Sequence, residues 1–124
     1  MACPCGLGGY DAHCGLLHSG EPAADAQALM RARYSAYALG RADYLLATWH
    51  PTTRPVALDL AQHPPLRWLG LDVKRHATEA DSAVVEFVAR YRPGGGRAGR
   101  LHETSRFVRE RGLWWYVEGH VTDR

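Results

Sequence analysis

The 124-residue chain predicts an α+β fold: helices packed on one face of a curved antiparallel sheet, behind a short metal-binding segment at the N-terminus. Two observations carry that expectation. The apolar period switches once, from helical spacing before Pro64-Pro65 to alternation after it. In addition, all three cysteines (Cys3, Cys5, Cys14) fall in the first fourteen residues, with His13 and His18 beside them.

Residues 1–24 are glycine-rich and nearly uncharged, and bury too little to order without a staple. They divide from residues 25–124, which carry the periodic pattern. Asp25 is placed to cap a helix on which Ala26, Met30, Tyr34 and Tyr37 recur until Gly40 stops it. A second helix is expected over Ala42 to Trp49, ending before Pro51. Pro55 suits the first position of a third, which must end by Pro64-Pro65. Four strands follow. Leu69, Leu71 and Val73 mark the first, and Val85, Phe87, Ala89 and Tyr91 the second. Pro93-Gly94-Gly95-Gly96 is a loop. Leu101, Glu103, Ser105 and Phe107 share one face of the third strand, and Gly112 turns the chain into the fourth, Leu113 to His120, where Trp114, Tyr116 and Glu118 share a face.

Composition bounds the function. At 124 residues one domain is expected, and 46% hydrophobic with 23% charged residues excludes wholesale disorder. The longest apolar run is Leu113 to Val117, far short of the roughly 20 residues of a membrane span, and Met1-Ala2-Cys3-Pro4 lacks a secretory signal, so a cytoplasmic, non-membrane protein is expected. A net charge of +2 is too weak to argue for nucleic acid. Seven arginines against two acids between Arg90 and Arg111 could touch RNA or acidic protein, although outward arginines on two strands are more simply a solvated face.

An odd cysteine count crowded into one end argues against a disulfide framework and for a metal site. Zinc takes four tetrahedral thiolate or imidazole ligands, and Cys3, Cys5, His13 and Cys14 supply four within twelve residues. His18, one helical turn after Cys14, competes with His13 for the last position. Such a closed donor set makes a structural site.

The run Cys3-Pro4-Cys5-Gly6, Tyr10, His13-Cys14-Gly15 and His18-Ser19-Gly20 resembles the SEC-C motif, the zinc segment known at the end of the translocation motor SecA. Ala28 to Tyr37, Asp43-Tyr44-Leu45, Thr48-Trp49-His50-Pro51, Trp68-Leu69-Gly70-Leu71, Val85 to Tyr91, His102-Glu103 with Ser105 and Phe107, and Trp114 to Gly119 are similar to the bacterial YchJ family of uncharacterised proteins. That resemblance implies a cone-shaped domain like nuclear transport factor two, of the SnoaL-like and ketosteroid-isomerase-like architecture, preceded by a zinc segment. The family usually has Cys-Cys where this chain has His13-Cys14.

Relatives in that superfamily, ketosteroid isomerase and scytalone dehydratase among them, often hold an apolar cavity between helices and sheet. If the Glu103 face points inward here, the expected lining is Tyr34, Tyr37, Trp49, His50, Glu103, Phe107, Trp114 and Tyr116. Glu103 is the one catalytic candidate, and a scaffold role paired to Arg31 or Arg33 is favoured over it. His102 cannot act with Glu103, because adjacent strand residues point to opposite faces. The leading expectation is a zinc-binding adaptor or binding module for a small molecule or peptide, as monomer or homodimer. A lyase or isomerase using Glu103 is the first alternative, and a protein or RNA adaptor docking through the zinc segment is the second.

Overall fold

Asp25 caps the long helix as its chemistry requires: its carboxylate accepts from the Ala28 N–H at 2.7 Å, and Gly40 closes the other end at φ 73°. The computed structural model describes residues 1–60 and 66–122. In chain order these form a short 3-10 turn (Tyr10–Ala12), α1 (Cys14–His18), α2 (Ala26–Leu39), α3 (Ala42–Ala47) and four strands. The strands are β1 (Leu66–Glu79), β2 (Ser82–Pro93), β3 (Gly99–Glu110) and β4 (Leu113–Thr122), an antiparallel meander in sequence order. The fold is α+β, with helices laid against one face of a curved sheet. Among the described residues no helix is long and apolar enough to cross a membrane.

Two helical expectations change. The second helix stops at Ala47, short of Trp49, because the Thr48 hydroxyl bonds back to the Tyr44 carbonyl and the chain then joins the sheet edge. His50 N–H donates to the Tyr116 carbonyl at 2.7 Å, and Tyr116 N–H to Thr48 at 2.9 Å. The third helix does not form over 55–60, while 61–65 lie outside the described residues. The segment leading to it is tied to the edge strand instead: Thr53 donates to the Val117 carbonyl and Arg54 to that of Trp49. These bonds cover the open edge of β4.

Bulges set which side chains face the helices. In β1 the register shifts between Trp68 and Gly70, so Leu69 is the extra residue and stands 40% exposed, while Trp68 takes the inward place opposite Tyr91. In β4 the shift lies opposite Arg106/Phe107, making Val117 the extra residue. Trp114 and Tyr116 therefore keep the inward phase, but Glu118 does not share it. It pairs with Arg106 at 2.7 Å on the outer face, and Gly119 becomes inward, opposite Ser105.

The core lies between α2 and the sheet: Leu29, Met30, Ala32 and Tyr34 against Val85, Phe87, Ala89, Phe107 and Trp114. Cys3, Cys5 and Cys14 belong to the same buried cluster. Phe107 sits at its centre, 1% exposed. Phe107→Ala is expected to lower unfolding free energy by about 3–5 kcal/mol, and loss of the Asp25 cap by about 1 kcal/mol. Urea titration checks both, and equal costs would contradict this placement of the core.

Candidate metal centre and cone cavity

The N-terminal glycines let the chain double back, so that Cys3 N–H bonds to the Gly8 carbonyl and Tyr10 N–H to that of Met1. This reversal, followed by α1, brings Cys3, Cys5, His13 and Cys14 together, with their ligand atoms all within 4.8 Å of one another. The Sγ atoms of Cys3 and Cys5 are 3.5 Å apart, and His13 Nδ1 is 3.6 Å, 3.3 Å and 3.3 Å from the sulfurs of Cys3, Cys5 and Cys14. A tetrahedron with metal–sulfur bonds of about 2.3 Å has edges of ~3.8 Å, shorter where nitrogen replaces sulfur. Donor set and spacing fit a metal ion, and these four side chains could hold one.

The protein environment prepares the thiols. A hydrogen bond from Cys14 holds Cys5 down to about 5, while the same shared bond and burial push Cys14 up. The pair thus gives up its first proton readily and its second reluctantly, and an incoming cation must displace the latter. Outside the donor set, Ser35 Oγ lies 3.5 Å from Cys3 Sγ, and Arg31 donates to the Cys5 carbonyl at 3.2 Å. Both come from α2 and orient the cysteine loop.

His18 is not brought to this cluster. Its Nε2–H donates to the Ala32 carbonyl at 2.8 Å, and its Nδ1 accepts from the Tyr10 hydroxyl at 2.6 Å. Both nitrogens are engaged, and burial keeps the ring's pKa below its usual value. The residue locks α1 to α2.

A second site lies between α2 and the sheet, a cavity of about 260 Å³. Of the residues expected there, Tyr34, Tyr37, Glu103, Phe107 and Tyr116 line it. Trp49, His50 and Trp114 do not. Trp49 packs edge-on against Tyr116, its buried Nε1 lacking a partner among the described residues, and His50 turns outward to Glu110 at 3.0 Å. Trp114 lines a separate cleft beside Leu17, Tyr44 and Leu113.

Glu103 points inward and accepts from the Ser105 hydroxyl at 2.9 Å. A Cβ at Gly119 would overlap Glu103 Oε2, so the glycine brought inward by the β4 bulge makes room for this carboxylate. The expected pairing with Arg31 or Arg33 is not formed. Arg31 is used at the cysteine loop, and Arg33 Nη1 donates to the Leu45 carbonyl and Thr48 Oγ1, both at 2.8 Å. His102 faces away to Glu86 at 2.6 Å.

Sequence reasoning missed Arg33 and Trp68 as cavity residues. Arg33 lines the cavity and stacks on Tyr116, its Cζ 4.1 Å from the ring centre, and burial pulls its pKa down to about 10, leaving it charged at neutral pH. The signal available was its helical spacing from Met30 and Tyr37; its charge argued the other way. Trp68 was hidden by the β1 bulge.

Burial holds Tyr44 and Tyr116 up to about 12, above the ordinary 10.0. A phenol whose folded pKa is raised ionises first in the unfolded chain, so its contribution to stability is full below pH 10 and is lost as pH rises towards 12. Alkaline titration of phenolate absorbance is expected to show these two tyrosines ionising with unfolding, after the exposed ones. Their ionisation alongside the others in folded protein would contradict their burial.

Comparison with known proteins agrees with this architecture. A family model described as the YchJ middle NTF2-like domain matches residues 25–119. A UPF0225 protein of Xanthomonas campestris is 57% identical over 118 residues, covering 94% of this chain and 92% of the relative. One from Chromobacterium violaceum is 59% identical over 126 residues, covering 97% and 93%. Among solved structures, a SEC-C motif containing protein from Rhodopseudomonas palustris superposes with a TM-score of 0.86 at 40% identity, over 99% of this chain and 100% of that one. Another from Psychrobacter arcticus gives 0.76 at 27% identity, over 98% and 83%. With its NTF2-like domain matched and more than nine-tenths of its length shared with such relatives, the chain belongs to the YchJ (UPF0225) family.

Proposed function

We propose that this protein is a ligand-binding module: the cone takes a small molecule into the cavity between α2 and the sheet, and one structural zinc ion holds the N-terminal segment against α2. The observation that carries the reading is the cavity itself. A scaffold domain would fill this space with aliphatic side chains, whereas here about 260 Å³ stays open beside a carboxylate and a guanidinium. The donor set of three sulfurs and one nitrogen leaves no open coordination position, which supports a structural ion. Bound zinc would supply only a cross-link and would keep all three cysteines as thiolates.

A second reading is favoured by one observation: Glu103 faces the cavity with no cationic partner within ion-pair distance among the described residues, as a proton-transferring carboxylate would. It would serve a lyase or isomerase. The ligand screen below separates the two, because only chemistry would exchange a carbon-bound hydrogen of the ligand with solvent deuterium.

The metal is tested by elemental analysis of protein prepared under reducing, chelator-free conditions, with one zinc per chain expected. His13→Ala should weaken retention against a chelator at least tenfold, and His18→Ala should leave the stoichiometry at one. Protein without metal, or His18→Ala losing it as His13→Ala does, would refute the assignment.

The cavity is tested by fragment screening on isotopically labelled protein. Bound fragments are expected to shift the amides of Glu103, Ser105, Tyr116 and Gly119, and Leu101→Trp, which fills the space, to abolish the shifts with zinc content unchanged. A diverse library that moves none of these amides would sink the ligand-binding reading.

A further inference from the structure

We propose that the ligand of the cone is a small zwitterion, with a carboxylate held at Arg33, an ammonium held at Glu103, and a flat apolar body lying between the aromatic walls. The inference rests on the ligand-binding reading above and names the chemistry that reading leaves open.

Arg33 is the first ground. It is 4% exposed, lines the cavity, and has no carboxylate within ion-pair distance among the described residues. Among the described residues both of its hydrogen bonds leave from Nη1, and Nε and Nη2 make none. Besides those two acceptors its charge meets the faces of Tyr116 and Trp49, at 4.1 and 4.9 Å from the ring centres, and Glu103 attracts it across the cavity from beyond ion-pair distance. A buried cation ordinarily has a counter-ion, and a guanidinium edge with two free N–H groups is shaped for a carboxylate.

Glu103 is the second. Among the described residues its one hydrogen bond comes from Ser105, although an ionised carboxylate offers about four acceptor positions. It lines the same cavity as Arg33 without pairing to it. Tyr116 stands between the two: the guanidinium lies over its ring, while its hydroxyl and Glu103 Oε2 crowd the same side of Gly119. Opposite charges are thus held apart along one phenol ring.

That arrangement discriminates among ligands. A neutral apolar molecule would strip water from both charges and satisfy neither. A simple anion would answer Arg33 but bring like charge towards Glu103, and a simple amine would do the reverse. A molecule carrying both charges satisfies both. At about 30 Å³ per displaced water, 260 Å³ corresponds to roughly nine waters, room for a small single-ring ligand. The rings of Tyr34, Tyr37 and Trp68, with Met30 and Phe87, suit a planar apolar group.

The test uses the full-length, metal-loaded protein and four probes of one shape: L-phenylalanine (both charges), 3-phenylpropionate (acid only), 2-phenylethylamine (amine only) and 3-phenylpropan-1-ol (neither). Affinities are read from shifts of the cavity amides. L-phenylalanine is expected to bind at least tenfold more tightly than either singly charged probe, and the alcohol most weakly. Glu103→Gln, close in shape, should bring phenylalanine down to the level of the acid and leave 3-phenylpropionate at least as tight as before. An alcohol or acid binding as tightly as phenylalanine would overturn the zwitterion and leave the ligand cavity standing. So would a Glu103→Gln protein that binds phenylalanine undiminished. If no probe moves the cavity amides while a library fragment does, the zwitterion alone falls; if neither does, both readings fall.

Discussion

Helix α2 is buried on two sides, and each half of the molecule is organised by the side that meets it. Ala32 and Ser35 face the N-terminal segment, where the Ala32 carbonyl takes the His18 proton and Ser35 touches Cys3. Met30, Arg33, Tyr34 and Tyr37 face the sheet and line the cavity. A fourteen-residue helix could not hold this position by propensity alone. It is held because both neighbours bury apolar surface against it, and because Asp25 and Gly40 satisfy its ends.

The same constraint explains why the cysteine cluster and the cavity are not independent. Arg31 and Arg33 are two residues apart on α2, so they point to different sides. Arg31 donates to the cysteine loop, and Arg33 donates to the end of α3 and lines the cavity. A shift of the helix that improved one set of contacts would disturb the other.

Sheet irregularities matter as much as helix placement. Without the extra residue in β4, Gly119 would face outward and Glu118 would enter the cone beside Glu103. Two carboxylates so close would raise each other's proton affinity or drive the strands apart. The bulge instead sends Glu118 outward to Arg106 and leaves space at Gly119 for the Glu103 side chain. In β1 the bulge at Leu69 brings Trp68 into contact with Tyr34 and Tyr91, which builds one aromatic wall of the cavity.

Much of this was legible locally. The cap at Asp25, the stop at Gly40, the alternation in β2 and β3 and the crowding of every cysteine beside His13 depend on neighbours in sequence, so the sequence by itself determined α2, the meander and the inward phase of Glu103. The resemblance of the quoted motifs to the YchJ family supplied the cone. Other features depend on contacts between residues far apart. Bulges shift the side-chain phase by one position, which no alternation pattern records, so Trp68, Leu69, Glu118 and Gly119 were settled only by strand pairing. The choice of His13 over His18 at the cysteine cluster turned on Tyr10 and Ala32 engaging both His18 nitrogens. Whether Arg33 or Arg31 met Glu103 turned on which acceptors α3 and the cysteine loop offered first, and the answer was neither. Each arginine is held by a carbonyl that folding brings within reach of its guanidinium, and only the tertiary structure decides where that carbonyl lies.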